Sequence, residues 1–346
     1  MSVDSTIGTG GRPRLLVLDD WEGRLRAAPG CARLRELADV EVLDERLADV
    51  PDDRLRDVQV LLAIRERTRL DAATLARFPR LELLLQTGGH AYHVDAEYAL
   101  EQGLVVSLGR RAVGPRAAVP ELTFALAIAA LRHLPAAQRA MAAGQWPPLM
   151  GRTLAGRTLG LLGTGRHGAR VAKLGEAFGM TVVAWARPGS MGADPSIPRL
   201  PLDELLATSD VLSIHLRLSP ESRGMLDAGR LAELKPGAVL INTSRGAIVD
   251  EAALVAALTN GPLAAAGLDV FTEEPLPADS PLRSLPNVVL TPHIGWTVEE
   301  VFDEFATIAC EQLAEYLAHR LDPAELMDPA AVAVARPRIG GIRTAA

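Results

Sequence analysis

Cysteine is nearly absent: the 346 residues hold two, Cys31 and Cys310, far apart in the chain. A pair so placed builds no disulfide framework, and neither residue sits in a redox or metal-ligand motif, so a reducing compartment is expected. Long hydrophobic runs are also lacking. None approaches the roughly 20 apolar residues that crossing a bilayer takes, and residues 1–12 contain no apolar core segment. The expectation is a cytoplasmic protein with no membrane partner. Positive charge is in deficit, with 36 Lys plus Arg against 43 Asp plus Glu and a formal net charge of -7. Binding nucleic-acid phosphates needs Lys and Arg concentrated on one face, so no nucleic-acid partner is expected. No internal repeat and no metal site is visible. What remains is 48% hydrophobic and 23% charged, the composition of a globular protein, and the length suffices for two domains.

Short apolar runs alternate with helical stretches through the first third of the chain. Residues 14–20, 58–64, 81–86 and 104–107 read as strands, and residues 31–38 and 71–77 as helices between them. That alternation predicts a parallel sheet with helices outside. An Ala- and Leu-rich helix is expected over 121–143, with Pro120 in its first turn and Pro135 bending or splitting it. Further strands are expected at 181–185, 211–216, 238–242, 263–270 and 288–290, and helices at 202–208 and 251–258. A final amphipathic helix over 301–319 would cross back to the first domain and leave two chain crossings as a hinge.

The most informative segment lies mid-chain. A strand at 158–162 runs into Gly163-Thr164-Gly165-Arg166-His167-Gly168 and then a helix. Gly163 permits the tight turn, Gly165 the close approach of a pyrophosphate, and Gly168 the packing of helix on strand, so a dinucleotide should bind at the helix N-terminus. Downstream, Arg245, Glu274 and His293 each follow a predicted strand. Ligands of open α/β sheets bind beyond the carboxyl ends of the strands, so these three should converge beside a nicotinamide. Arg245 would hold the carboxylate or carbonyl oxygen of a 2-keto acid, and His293 would exchange a proton with that oxygen. Glu274 would orient the imidazole and favour its charged form.

With these motifs together, the chain resembles the D-isomer-specific 2-hydroxyacid dehydrogenase family, which includes phosphoglycerate, glycerate and D-lactate dehydrogenases. The resemblance rests on residues 163–168, 205–211, 235–238, 242–250, 267–277 and 291–295. It implies two doubly wound α/β domains, Rossmann-like and flavodoxin-like, with the cofactor cleft between them. The substrate domain would be discontinuous, 13–110 and 299–330, the NAD(P)-binding domain would span 111–298, and residues 1–12 and 331–346 would be mobile tails. The family's catalytic Arg, acid and His fall on Arg245, Glu274 and His293, and its nicotinamide-contacting Asp on Asp269. Formate dehydrogenases of the superfamily carry Gln in place of Glu274, which argues against formate. The cofactor set would comprise Gly163, Thr164, Gly165, Arg166, His167, Gly168, Arg187, His215, Thr243, Asp269 and Gly295. A homodimer formed through the nucleotide domains is implied as well. Some relatives act as NAD(H)-sensing corepressors, which leaves a dimeric scaffold as the alternative to an enzyme.

On the substrate side the pattern departs from the family. Arg65 would contact a carboxylate, and Gly88 and Gly89 would let backbone amides grip it, but His90 and Ala91 interrupt the usual Gly-x-Gly-x-Asp/Asn. His90 and Trp296 are candidate pocket residues, and Pro120 interrupts the usual opening of the linking helix. Cofactor choice is open between NAD and NADP. The strand after the fingerprint ends Ala186-Arg187 where an acid would accept the ribose hydroxyls, and Arg187 slightly favours NADP through its 2′-phosphate.

Overall fold

The computed structural model describes residues 11–187 and 196–329; residues 1–10 and 331–346 of the expected tails lie outside the described residues. The chain divides into two compact units, one of residues 11–114 and 298–329, the other of 115–297.

Unit 1 holds β1 (Arg14–Leu18), β2 (Asp39–Val42), β3 (Val60–Ala63), β4 (Leu83–Gln86) and β5 (Val105–Leu108). All pairings are parallel, in the order β2-β1-β3-β4-β5, the flavodoxin-like winding. Strands β3, β4 and β5 are buried at every residue. Covered on both faces, they read in the sequence as near-continuous apolar runs, interrupted by Gln86 and Ser107. The sequence reading passed over β2. Its Asp39-Val40-Glu41-Val42 carries half its residues as acids because it is an edge strand and only partly buried. The helix Glu299–Leu317 packs on Pro29–Leu37 within this unit and buries Phe302 and Phe305 completely.

Residues 111–114, expected in the nucleotide domain, belong to unit 1. The Val113 and Gly114 amides donate to the Glu304 carboxylate at 2.7 and 2.8 Å, and Arg111 pairs with Glu315 and Glu325. Those carboxylates raise the Arg111 pKa further above its ordinary value.

Unit 2 holds β6 (Thr158–Leu162), β7 (Thr181–Trp185), β8 (Val211–Ile214), β9 (Ala238–Asn242), β10 (Leu263–Leu268) and β11 (Val288–Leu290). They form one parallel sheet ordered β11-β10-β9-β8-β6-β7. One apolar cluster covers each face, and the order reverses where β6 lies beside β8, the position at which such sheets open a ligand crevice. Helix starts are fixed by Asp227 and Asp250, whose carboxylates accept the Arg230 and Ala253 amides.

The helix expected over 121–143 is two helices, Pro115–Leu131 and Leu134–Ala142, bent by 65°. Pro120 stands inside the first and not in its first turn, so its missing N–H forgoes one backbone bond of the helix. The break falls at His133, whose backbone is left-handed, and Pro135 opens the second helix. Among the described residues no single helix is long and apolar enough to cross a membrane.

Candidate active site

At the sheet's switch point, β6 ends in a turn that glycine alone accommodates. Gly163 has φ +96°, and a Cβ there would stand 2.8 Å from the His215 carbonyl oxygen. Gly168 seats the following helix against this turn, for its Cβ would come within 2.1 Å of the Gly163 oxygen. Gly165 is different: it caps the helix Arg166–Ala177 with no side-chain hydrogen bond, and a Cβ there meets nothing within 4 Å. The first-turn amides therefore face open space beside Gly165, at the positive end of a helix of 12 residues. Next to them the Thr164 hydroxyl is buried without a hydrogen-bond partner. An uncapped helix end, open room and an orphaned hydroxyl fit the pyrophosphate of a dinucleotide.

Around this cradle stand the other candidate cofactor residues. His215 hydrogen-bonds Ser213 at 2.9 Å, and burial, helped by His167, pushes its pKa down to about 3, so the ring is neutral. Thr243 shares a 2.9 Å hydrogen bond with Thr123. Arg187 is exposed and lies 3.3 Å from the Ser219 hydroxyl and 3.5 Å from the Glu221 carboxylate. Glu221 and Ser219 come from a loop more than 30 residues on, with no strand-end or glycine signal to mark them in the sequence.

The three candidate catalytic residues lie on loops that leave β9, β10 and β11. After β9, Asn242 folds the chain on itself: its amide donates to the Arg245 carbonyl at 2.9 Å and its oxygen accepts from the Ser244 N–H at 3.0 Å. The Arg245 guanidinium donates to the Ser244 carbonyl at 2.6 Å. After β10, Asp269 is buried and accepts three bonds, from the Thr291 hydroxyl at 2.6 Å and the Ile294 and Gly295 amides at 2.8 Å each. Burial raises the Asp269 pKa, and these donors, together with His293, work against the rise. Its oxygens and the Gly295 N–H, both expected to face the cofactor, thus tie the β10 and β11 loops together. Glu274 accepts the Phe271 amide through Oε1 at 2.9 Å and meets His293 Nδ1 through Oε2 at 2.6 Å. His293 holds a left-handed backbone, φ +56°, inside the loop that Asp269 clamps. Trp296, the next candidate, is buried. The sequence reading found Glu274 and His293 but missed Asn242 as the residue that shapes the Arg245 loop.

In unit 1, Arg65 follows β3 and residues 88–90 follow β4. Arg65 also has a left-handed backbone, φ +60°, and its amide donates to the Thr87 hydroxyl at 2.9 Å. Its guanidinium lies against Gly88, where a Cβ would stand 3.2 Å from Nη1. A Cβ at Gly89 would meet only Arg110, at 3.9 Å.

An open parallel sheet with a glycine cradle at its switch point and an imidazole–carboxylate pair on adjacent strand ends has the architecture of a dinucleotide-binding α/β protein. Similarity to known proteins narrows the class. A family model for the D-isomer specific 2-hydroxyacid dehydrogenase NAD binding domain matches residues 124–295. A D-3-phosphoglycerate dehydrogenase of Mycobacterium bovis is 38% identical, over 81% of this chain and 52% of that protein. A glyoxylate reductase of Aeropyrum pernix is also 38% identical, over 78% of this chain and 83% of that protein. Among solved structures, one titled a putative D-3-phosphoglycerate dehydrogenase oxidoreductase, from Ralstonia solanacearum, superposes with TM-score 0.83 at 33% identity, covering 92% of this chain and 98% of that one. This chain belongs to the D-isomer specific 2-hydroxyacid dehydrogenase family. It spans about half the length of the mycobacterial phosphoglycerate dehydrogenases it matches.

Gly165→Val separates fold from cradle. Open space around Gly165 means the melting temperature should stay within about 2 °C, while dinucleotide affinity, read by fluorescence titration, should fall at least about tenfold. Unchanged affinity would remove the pyrophosphate from this turn.

Proposed function

We propose that this chain interconverts a small 2-oxo acid and the D-2-hydroxy acid, using Arg245, Glu274 and His293. The observation that carries the reading is the 2.6 Å contact between His293 Nδ1 and Glu274 Oε2. With Nδ1 committed to the carboxylate, Nε2 is the ring atom that exchanges protons. When bound, the reduced nicotinamide supplies a hydride to the carbonyl carbon. In that direction His293 Nε2 gives its proton to the carbonyl oxygen, and in the reverse direction it takes the proton from the hydroxyl. Glu274 holds the ring in orientation and stabilises its positive charge, itself anchored by the Phe271 amide. Arg245, braced on the Ser244 carbonyl, offers a fixed positive charge to the substrate's carboxylate or carbonyl oxygen. Arg65, Gly88, Gly89 and His90 supply the carboxylate contacts of unit 1.

The cofactor reading favours NADP over NAD. In support, no acid stands at the end of β7, and Arg187 with Ser219 offers donors to a 2′-phosphate. Glu221 competes for the same guanidinium, so the preference is expected to be a few-fold. A homodimer through unit 2 is the expected assembly. Leu134, Met141, Trp146, Leu149 and Met150 are all exposed within 17 consecutive residues, with Trp146 87% and Met150 88% exposed, an apolar surface suited to a second copy.

His293→Ala should cut turnover about 10³-fold while dinucleotide affinity stays within about twofold. Glu274→Gln, which keeps the shape and removes the charge, should lose about 10- to 100-fold in kcat on the same scale. Wild-type rates in His293→Ala across a panel of 2-oxo acids would refute the mechanism. For the cofactor, steady-state kinetics should give a lower KM for NADPH than for NADH, and Arg187→Ala should abolish that difference; a strong NADH preference in the wild type sinks the Arg187 assignment. Sedimentation should show a dimer that Trp146→Glu with Met150→Glu converts to monomer, and a wild-type monomer at micromolar concentration would reject the interface.

A further inference from the structure

We propose that Glu221, on the loop after β8, is the acceptor for the cofactor's ribose 2′-hydroxyl that the end of β7 lacks, so that the chain takes NAD as well as NADP. The inference rests on the reading that the end of β7 meets the ribose 2′ position.

In the sheet β6 lies between β7 and β8, so the glycine turn at its end has the β7 exit on one side and the β8 exit on the other. Both exits touch Gly163. Its amide donates to the Trp185 carbonyl at 2.8 Å, and a Cβ on it would stand 2.8 Å from the His215 carbonyl oxygen. Just past these contacts the two exits meet again: Arg187 Nη1, from the β7 side, is 3.5 Å from Glu221 Oε2, from the β8 side. The β7 strand ends Ala186-Arg187 with no acid, and the carboxylate comes instead from the opposite flank of the turn.

The loop that carries Glu221 is a closed turn. Ser222 is buried; its hydroxyl donates to the Arg217 carbonyl at 2.7 Å and accepts from the Ser219 amide at 2.8 Å. The Ser222 and Arg223 amides return to the Ser219 carbonyl at 3.1 and 2.9 Å. From this turn the Ser219 hydroxyl donates to Glu221 Oε2 at 2.6 Å and accepts from Arg187 Nη2 at 3.3 Å. Ser219 and the residue's own amide hold the Glu221 carboxyl below the usual range, so it is ionised at neutral pH. A carboxylate only accepts hydrogen bonds, and a guanidinium only donates them. The pair therefore presents an acceptor to a 2′-hydroxyl and a donor to a 2′-phosphate. The phosphate also meets Glu221 as a like charge, and a unit charge at about 4 Å in water is worth about fivefold in binding.

The test measures dissociation constants for NADH and NADPH by fluorescence titration of the full chain, with no turnover required. In the wild type NADPH should bind no more than about tenfold tighter than NADH, and Glu221→Gln should move the ratio toward NADPH at least about fivefold. The same shift should appear when Glu221→Gln is added to Arg187→Ala, because the carboxylate acts on the ribose itself. A larger NADPH preference in the wild type, a ratio unmoved in Glu221→Gln, or both ligands weakened alike, as a loosened loop would give, overturns the proposal. So does a shift that vanishes in the Arg187→Ala background. A ratio that Glu221→Gln moves and Arg187→Ala does not would sink the Arg187 assignment and leave Glu221 standing.

Discussion

A single carboxylate buried at the end of a strand holds the candidate active site together. Asp269 accepts the Thr291 hydroxyl and the Ile294 and Gly295 amides, and so fastens the β11 loop to the β10 loop on both sides of His293. Desolvation opposes the charge on Asp269, yet two backbone donors and a hydroxyl would be stranded without it. The imidazole can meet Glu274 at 2.6 Å because the loop carrying it has little freedom left, with His293 held at positive φ. Rigid support of this kind keeps a proton-transfer group in reach of its partner without reorganisation during the reaction.

The all-parallel sheet sets the level above that. Each crossover returns the chain to the same edge, so every βα loop of unit 2 opens at the carboxyl ends of the strands, and the glycine turn and the three loops after β9, β10 and β11 share that edge. The two sites differ in how they meet charge. The glycine cradle offers helix amides and no side-chain cap to an anion, whereas the Arg65 loop sets one guanidinium beside one carboxylate. The first suits a pyrophosphate of any dinucleotide.

Most of the fold was legible because parallel strands are covered on both faces. Runs such as Leu83-Leu84-Leu85 in β4 and Val239-Leu240-Ile241 in β9 leave few alternatives to a buried strand. Reading failed where burial was partial or a proline misled. The acidic edge strand β2 lacks an apolar run, and Pro120 resembles a helix opener although the helix starts at Pro115.

The sequence alone marked the glycine turn and put Arg245, Glu274 and His293 each after a strand, since a glycine spacing and a strand-end position are properties of the chain itself. Only the tertiary structure decided what each polar group is bonded to. Asp269 clamps a loop some 25 residues away, Glu221 competes for Arg187 from 34 residues on, and Glu66 reaches His90 from the neighbouring strand end. The physical reason is the same in all three. A carboxylate takes its role from the donors that folding brings within about 3 Å, and separation along the chain does not encode them.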